Sequence, residues 1–136
     1  MLYLDLNKFK PINDTLGHAA GDSVLRMVAN RLKVSVRYDD VIFRMGGDEF
    51  LIFINLTDVD EKTKLLNNIG NKIKNLISDP FLIKGQPVEI GVSVGVGIYP
   101  DDADDMRELI HRADKAMYLS KKNAGAIIFV SELFGQ

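Results

Sequence analysis

The stretch VIFRMGGDEFLIF, Val41 to Phe53, places two runs of strand-forming residues on either side of two glycines and two acids. Gly46 and Gly47 can both adopt positive φ, so the spacing predicts a β-hairpin with arms Val41–Arg44 and Glu49–Asn55. The chain is thereby committed to antiparallel pairing near its middle. The second arm, FLIFI, is apolar on both faces, which predicts a strand with neighbours on both sides. MLYLDL, Met1 to Leu6, is the natural neighbour: it is apolar except for Asp5 near its carboxyl end.

Helical periodicity appears in the intervening segments. Val24, Leu25, Val28, Ala29 and Leu32 predict a helix from Asp22 to about Arg37, with Asp22 or Ser23 as N-cap. Leu65, Leu66, Ile69, Ile73, Leu76 and Ile77 predict a second, stopped by Pro80. PFLIKGQPVEIGVSVGVGIYP reads as two strands around Lys84-Gly85-Gln86, the second running up to Pro100. Met106, Leu109, Ile110, Ala113 and Met117 mark a third helix capped by the acids of DDADD, and Ala126–Val130 a last strand. This order predicts a single α+β domain, residues 1–136, with a central antiparallel-rich sheet flanked by helices.

Composition narrows the function classes. The 136 residues are 46% hydrophobic and 26% charged, with a net charge of -2 and acids and bases interspersed. No basic face marks a nucleic-acid or membrane partner. There is no cysteine, which removes thiol catalysis and thiolate-bound zinc and fits a cytoplasmic location. No apolar run approaches the roughly 18 residues of a membrane span.

Several residues carry possible chemistry, each with a plainer alternative. Asp5 at a strand end and Asp48 or Glu49 at a hairpin tip could pair around a hard divalent cation, which takes carboxylate, phosphate and water oxygens; equally, acids there are often only solvated. Lys8, Phe9 and Lys10 follow the first strand, where backbone N–H groups at a helix start favour phosphate and Lys10 adds charge. Asn13 and Asp22 together offer donors and acceptors suited to a guanine edge, or they are a helix start and an N-cap. Arg37 and Asp40 form an RxxD pair that in general is a helix-end salt bridge.

Four segments in order, LDLNKFKPINDTLGHAAGD, RMGGDEF, VSVGVGIYP and RADKAMYLSKK, resemble the GGDEF domains, the diguanylate cyclases that condense two GTP into cyclic di-GMP with release of two pyrophosphates. The resemblance implies a fold related to class III nucleotide cyclases and polymerase palm domains. It makes Asp5 and Asp48 ligands of Mg2+ or Mn2+, with the carbonyl of Leu6 as a backbone ligand. It gives Glu49 or Asp48 a part in deprotonation, and assigns Gly46 and Gly47 to close approach of the nucleotide. Backbone at Lys8 and Phe9, with Lys10 and Lys121, is implied to hold phosphates, and Asn13 and Asp22 to read guanine. Arg37 and Asp40 become an inhibitory site for the product. Catalysis is implied to need a homodimer, because each domain holds one GTP.

The chain also departs from the pattern. Asn7 stands where many members have a second acid, and NAGA, Asn123 to Ala126, lacks the basic residue after glycine, near Gly125, that often contacts phosphate. Met1 falls at the first strand, without the family's usual upstream helix, so the expectation is a domain of a larger protein, with fused sensory or EAL domains, and some apolar surface left uncovered. The alternative function is a degenerate domain that binds GTP or cyclic di-GMP without turnover.

Overall fold

The computed structural model of the chain describes residues 1–134. A five-stranded sheet has the order β2-β3-β1-β6-β7. At its centre, β1 (Leu2–Asn7) runs antiparallel to β3 (Glu49–Phe53) on one side and β6 (Gly91–Val96) on the other. β2 (Val41–Gly46) is the hairpin partner of β3, and β7 (Ile128–Phe129) joins β6 in parallel. This is the antiparallel-rich α+β sheet the sequence predicts.

Alternation along β1 explains its central place. Leu2, Leu4 and Leu6 join one core with Phe50, Ile52 and Val94, while Met1 and Tyr3 join a second with Leu51. The first core is closed by α2 (His18–Ser35) through Val24, Val28 and Leu32, and by α3 (Lys62–Ser78) through Leu66, Ile73 and Ile77. The second is closed by α4 (Met106–Lys122) through Leu109, Ala113, Ala116 and Met117. At Gly95 the backbone of α4 comes so close that a Cβ would run into the Ala113 carbonyl oxygen and the Met117 nitrogen. Asp105 caps α4 by accepting from the Glu108 N–H at 2.8 Å, as the DDADD reading expects.

Several boundaries differ from expectation, among them the last strand, which is Ile128–Phe129 and not Ala126–Val130. A short helix, α1 (Lys10–Leu16), precedes α2, and α2 starts at His18, so Asp22 is its fifth residue and not an N-cap. The first turn of α2 is made of His18 and small residues, with Ala20 and Gly21 buried, so it extends the helix without extending the large-apolar repeat. The segment after Pro80 is three strands: β4 (Phe81–Ile83) and β5 (Gln86–Val88) form their own two-stranded sheet, and only Gly91–Val96 enters the main one. Lys84 and Gly85, at φ 50 and 79, make the two-residue turn of that small hairpin. A one-turn helix, α5 (Ser131–Phe134), closes the described chain.

The sheet edge formed by β2 is poorly covered. Val41, Phe43 and Met45 are exposed, Phe43 meeting Phe53 edge-on at 6.1 Å, and Tyr99 and Met106 are also exposed.

Candidate active site

The hairpin tip is built by dihedral demand. Gly46 and Gly47 sit at φ 141 and 53, while nothing lies within 4 Å of the place a Cβ would take on either. Glycine is therefore required by the backbone, and the space above it stays open for a ligand. Arg44 braces the turn, its Nε and Nη2 donating to the Gly47 carbonyl at 3.1 and 2.9 Å. The Leu6 N–H donates to the Asp48 carbonyl at 3.0 Å, which ties the tip to the end of β1. In an extended strand a residue's N–H and C=O face the same edge, so the Leu6 carbonyl also faces the tip.

Asp5 lies in register with Glu49 on one side and Ser93 on the other, and is 6% exposed. Its Oδ2 accepts from Lys121 Nζ at 2.7 Å; its Oδ1 is buried and has no hydrogen-bond partner. The Asp48 carboxyl is pushed above its ordinary value by burial and then by the charge of Asp5, so the two carboxylates already feel each other. Glu49 is also pushed up, by burial first and by Asp5, Asp114 and Asp48, against the hydrogen bond it accepts from Tyr3 Oη at 3.0 Å. Lys121 is held above the usual lysine range by its bond to Asp5.

These residues suit a hard divalent cation. A buried, unpartnered carboxylate oxygen costs desolvation free energy unless something positive serves it. Two carboxylates and one backbone carbonyl are the protein share that Mg2+ ordinarily accepts, the rest coming from phosphates and water. Among the described residues no three or more His, Cys, Asp or Glu side chains converge into a fuller cage. Asn7, where a further acid would extend the set, is locked to Ser93 by bonds of 3.0 and 3.2 Å.

The other sequence-selected residues fall into two groups. Phe9 is a core residue by its side chain, so only its backbone can serve a ligand, while Lys8 and Lys10 are exposed. Lys8 sits at φ 66, an uncommon conformation for a non-glycine residue, where the chain turns from β1 into α1. Asn13 of α1 rests against Gly21 of α2 so closely that a Cβ on Gly21 would overlap its amide. Asn13 thus lies beside the residue preceding Asp22, which brings the two candidate base-reading groups to one helix–helix corner.

Arg37 and Asp40 lie apart from this cluster, at the opposite end of β2. They are already engaged with each other and with the chain after β3. Asp40 accepts from the Arg37 N–H at 2.8 Å and the Asn55 N–H at 3.0 Å, and pairs with the guanidinium at 3.3 Å. The guanidinium also donates to the Asn55 carbonyl. Burial pushes the Asp40 carboxyl up, but the hydrogen bonds from Asn55 and Arg37 outweigh it and hold it below its ordinary value. An open hollow of about 460 Å3, lined by Lys33, Val36, Arg37, Tyr38, Asp40 and Ile42, adjoins the pair.

Residues that motif reading passes over hold this arrangement. Tyr3 holds Glu49, and it lies two residues before Asp5, so strand alternation alone places both on one face. Ser120 Oγ accepts from the Val94 N–H at 2.9 Å and pins the last turn of α4, which carries Lys121, to β6. Gly21 and Gly95 show their function only through the close approach of other groups.

The diguanylate cyclase GGDEF domain family matches residues 1–126, and the chain belongs to this family. It is 37% identical over 133 residues to the diguanylate cyclase TpbB of Pseudomonas aeruginosa, covering 98% of this chain and 30% of that protein. It is likewise 37% identical over 121 residues to the cyclic di-GMP phosphodiesterase NbdA of the same species, covering 89% of this chain and 15% of NbdA. The crystal structure of the GGDEF domain of TpbB superposes with a TM-score of 0.86 at 35% identity, covering 94% of this chain and 79% of that one. The chain therefore spans less than a third of the length of these two full-length relatives. Among the described residues no helix is long and apolar enough to cross a membrane.

Proposed function

We propose that the chain is the catalytic diguanylate cyclase domain of a larger protein, joining two GTP into cyclic di-GMP. The observation that carries this reading is the convergence of Asp5, Asp48 and Lys121 at the hairpin tip, with one oxygen of Asp5 buried and unserved. In the reaction the O3′ of one GTP forms a bond to the α-phosphorus of the other and pyrophosphate leaves; the same step in the opposite sense closes the ring. A bound Mg2+ supplies charge at the phosphoryl oxygens and lowers the pKa of the attacking hydroxyl. Asp5, Asp48 and the Leu6 carbonyl hold it. Asp48 or Glu49, each with a raised pKa, is suited to take the proton from O3′. Lys10 and Lys121 offset charge on the departing pyrophosphate. Asn13 and Asp22 orient guanine, and the backbone at Lys8 and Phe9 holds phosphate. One domain places one GTP, so two chains meet about a two-fold axis to bring each hydroxyl to the other's phosphorus. Arg37 and Asp40, beside their hollow and the fully exposed Tyr38, form the site for inhibitory product.

Incubation with GTP and Mg2+, followed by chromatography, should yield cyclic di-GMP. Asp48→Ala should abolish it while the hairpin, held by its apolar arms, stays folded. An Asp48→Ala variant as active as wild type would remove Asp48 from the metal site. A second reading, a domain that binds GTP without turnover, is favoured by the locked amide of Asn7 and by a relative named for phosphodiesterase activity. Tight GTP binding with no product would establish it.

A further inference from the structure

The contact between Lys121 and Asp5 joins residues 116 positions apart and is an ion pair on Oδ2 of the Asp5 carboxylate. It is short, at 2.7 Å, and charge-assisted. It is also incomplete, because an ammonium serves one oxygen while Oδ1 remains buried and unpartnered. The two ends of the contact differ in freedom. Asp5 is fixed in the central strand with its side chain 9% exposed, whereas the Lys121 side chain is 46% exposed and can swing outward. The base of that swing is fixed, since neighbouring Ser120 is bonded to the Val94 N–H.

We propose that Lys121 is a tethered stand-in for the divalent cation, neutralising Asp5 until a cation takes the carboxylate and then carrying its charge to the phosphates. The proposal rests on the metal-binding reading of Asp5 and Asp48. A divalent cation on Oδ1 and an ammonium on Oδ2 of the same carboxylate lie within a few ångströms of each other and repel, so the exposed, mobile Lys121 leaves when the cation binds. With cation alone, the displaced ammonium returns to water and the loss of its ion pair weakens binding. With a triphosphate present, the same ammonium meets phosphate oxygens and the loss is recovered. Lys121 thereby couples metal and nucleotide, so that neither alone assembles the site and both together do.

The test uses Mn2+ without nucleotide, titrated into the full chain by calorimetry. Lys121→Met should bind Mn2+ on the order of tenfold more tightly than wild type, the scale of one charge-assisted hydrogen bond. Lys122→Met removes the same charge one residue further on, where the ammonium lies over the Tyr118 ring and not on Asp5; it should change affinity less than about threefold. Equal effects of the two variants, or none from Lys121→Met, would overturn the exchange. In the wild type, the Nζ resonance of Lys121 should move when saturating Mg2+ is added without nucleotide, and an unmoved resonance also overturns it. Cyclic di-GMP formation by the wild type is scored separately: product with unchanged Mn2+ affinity rejects the exchange alone, while no product and no Mn2+ binding reject both it and the catalytic reading.

Discussion

Gly21 decides where Asn13 can lie, and so lets the proposed reading of guanine be tested apart from stability. Alanine there should raise helix propensity by up to about 1 kcal/mol, yet its methyl group would push the Asn13 amide out of the α1–α2 corner. Gly21→Ala is expected to melt no lower than wild type while binding GTP at least about tenfold more weakly. Asp22→Ala should relax preference for GTP over ATP, because a site built to hydrogen-bond a base rejects others through the groups it leaves unpaired. Titrations with both nucleotides check this; an untouched preference in both variants takes Asn13 and Asp22 out of base recognition. The RxxD pair divides in a similar way. Asp40 fastens two backbone N–H groups, whereas Arg37 contributes a side chain that can be redirected. Asp40→Ala should therefore lower the melting temperature, and Arg37→Ala should chiefly weaken cyclic di-GMP binding, by roughly tenfold or more. Calorimetry showing equal product affinity in wild type and Arg37→Ala would reduce the pair to a structural clasp.

Elements meet through contacts that sequence patterns do not carry. Arg31 on α2 closes the end of α3: Nη1 donates to the Leu76 and Asp79 carbonyls at 2.7 and 2.6 Å, and Nη2 to that of Pro80 at 2.9 Å. Its guanidinium also lies 3.6 Å from the centre of the Phe81 ring. Arg31→Met keeps the apolar stem and loses these bonds, and should cost about 2 kcal/mol in urea unfolding with an unchanged slope. No effect would show that water serves the α3 carbonyls equally well. The hairpin, the central β1 and the amphipathic faces of α3 and α4 were legible because periodicity and turn chemistry are local. The start of α2 was not, since its first turn buries Ala20 and Gly21 without large apolar residues. Nor was the division of the 81–96 segment between two sheets, which depends on the strand each part pairs with. Within the site, the acids and glycines stood out as a motif, but Tyr3, Ser93 and Ser120 did not, because their partners are remote in sequence. Gly125, near the family's missing basic residue, is at φ 80 with the Val92 carbonyl 3.1 Å from where a Cβ would lie. A basic side chain cannot be placed there without strain; the exposed Ala126 beside it is the compatible position.

At the scale of the molecule, the carboxyls pull stability in two directions. Asp48 and Glu49 are raised above 3.8 and 4.5, so the metal-free folded domain keeps protons the unfolded chain has lost. Stability from this source is present below those values and falls as pH rises through the folded pKa of each. Asp40, lowered from 3.8, contributes above that value and loses its contribution as pH falls through its folded pKa. Melting curves of the metal-free domain between about pH 3 and 7 should therefore change in opposite ways in two variants. Asp48→Asn should remove part of the decline toward neutral pH, and Asp40→Asn part of the decline toward acid; parallel curves for both would contradict the assigned causes. The placing of β1 at the centre has a consequence for synthesis as well. The strand leaves the ribosome ahead of its partner β6, which is made more than 80 residues later, roughly 4 to 17 seconds at 5–20 residues per second. Until β3 follows, LYLDL is an unsatisfied apolar ribbon, and until β6 follows one of its edges stays open; the one charge on it is the Asp5 carboxylate. An acid at such a position discourages pairing with a neighbouring chain. Refolding of Asp5→Leu should aggregate at lower protein concentration than refolding of Asp48→Ala, measured by light scattering, whereas equal thresholds would confine Asp5 to its role in the finished site. The buried acid of the candidate site is then also a gatekeeper for a nascent strand whose second edge is still open.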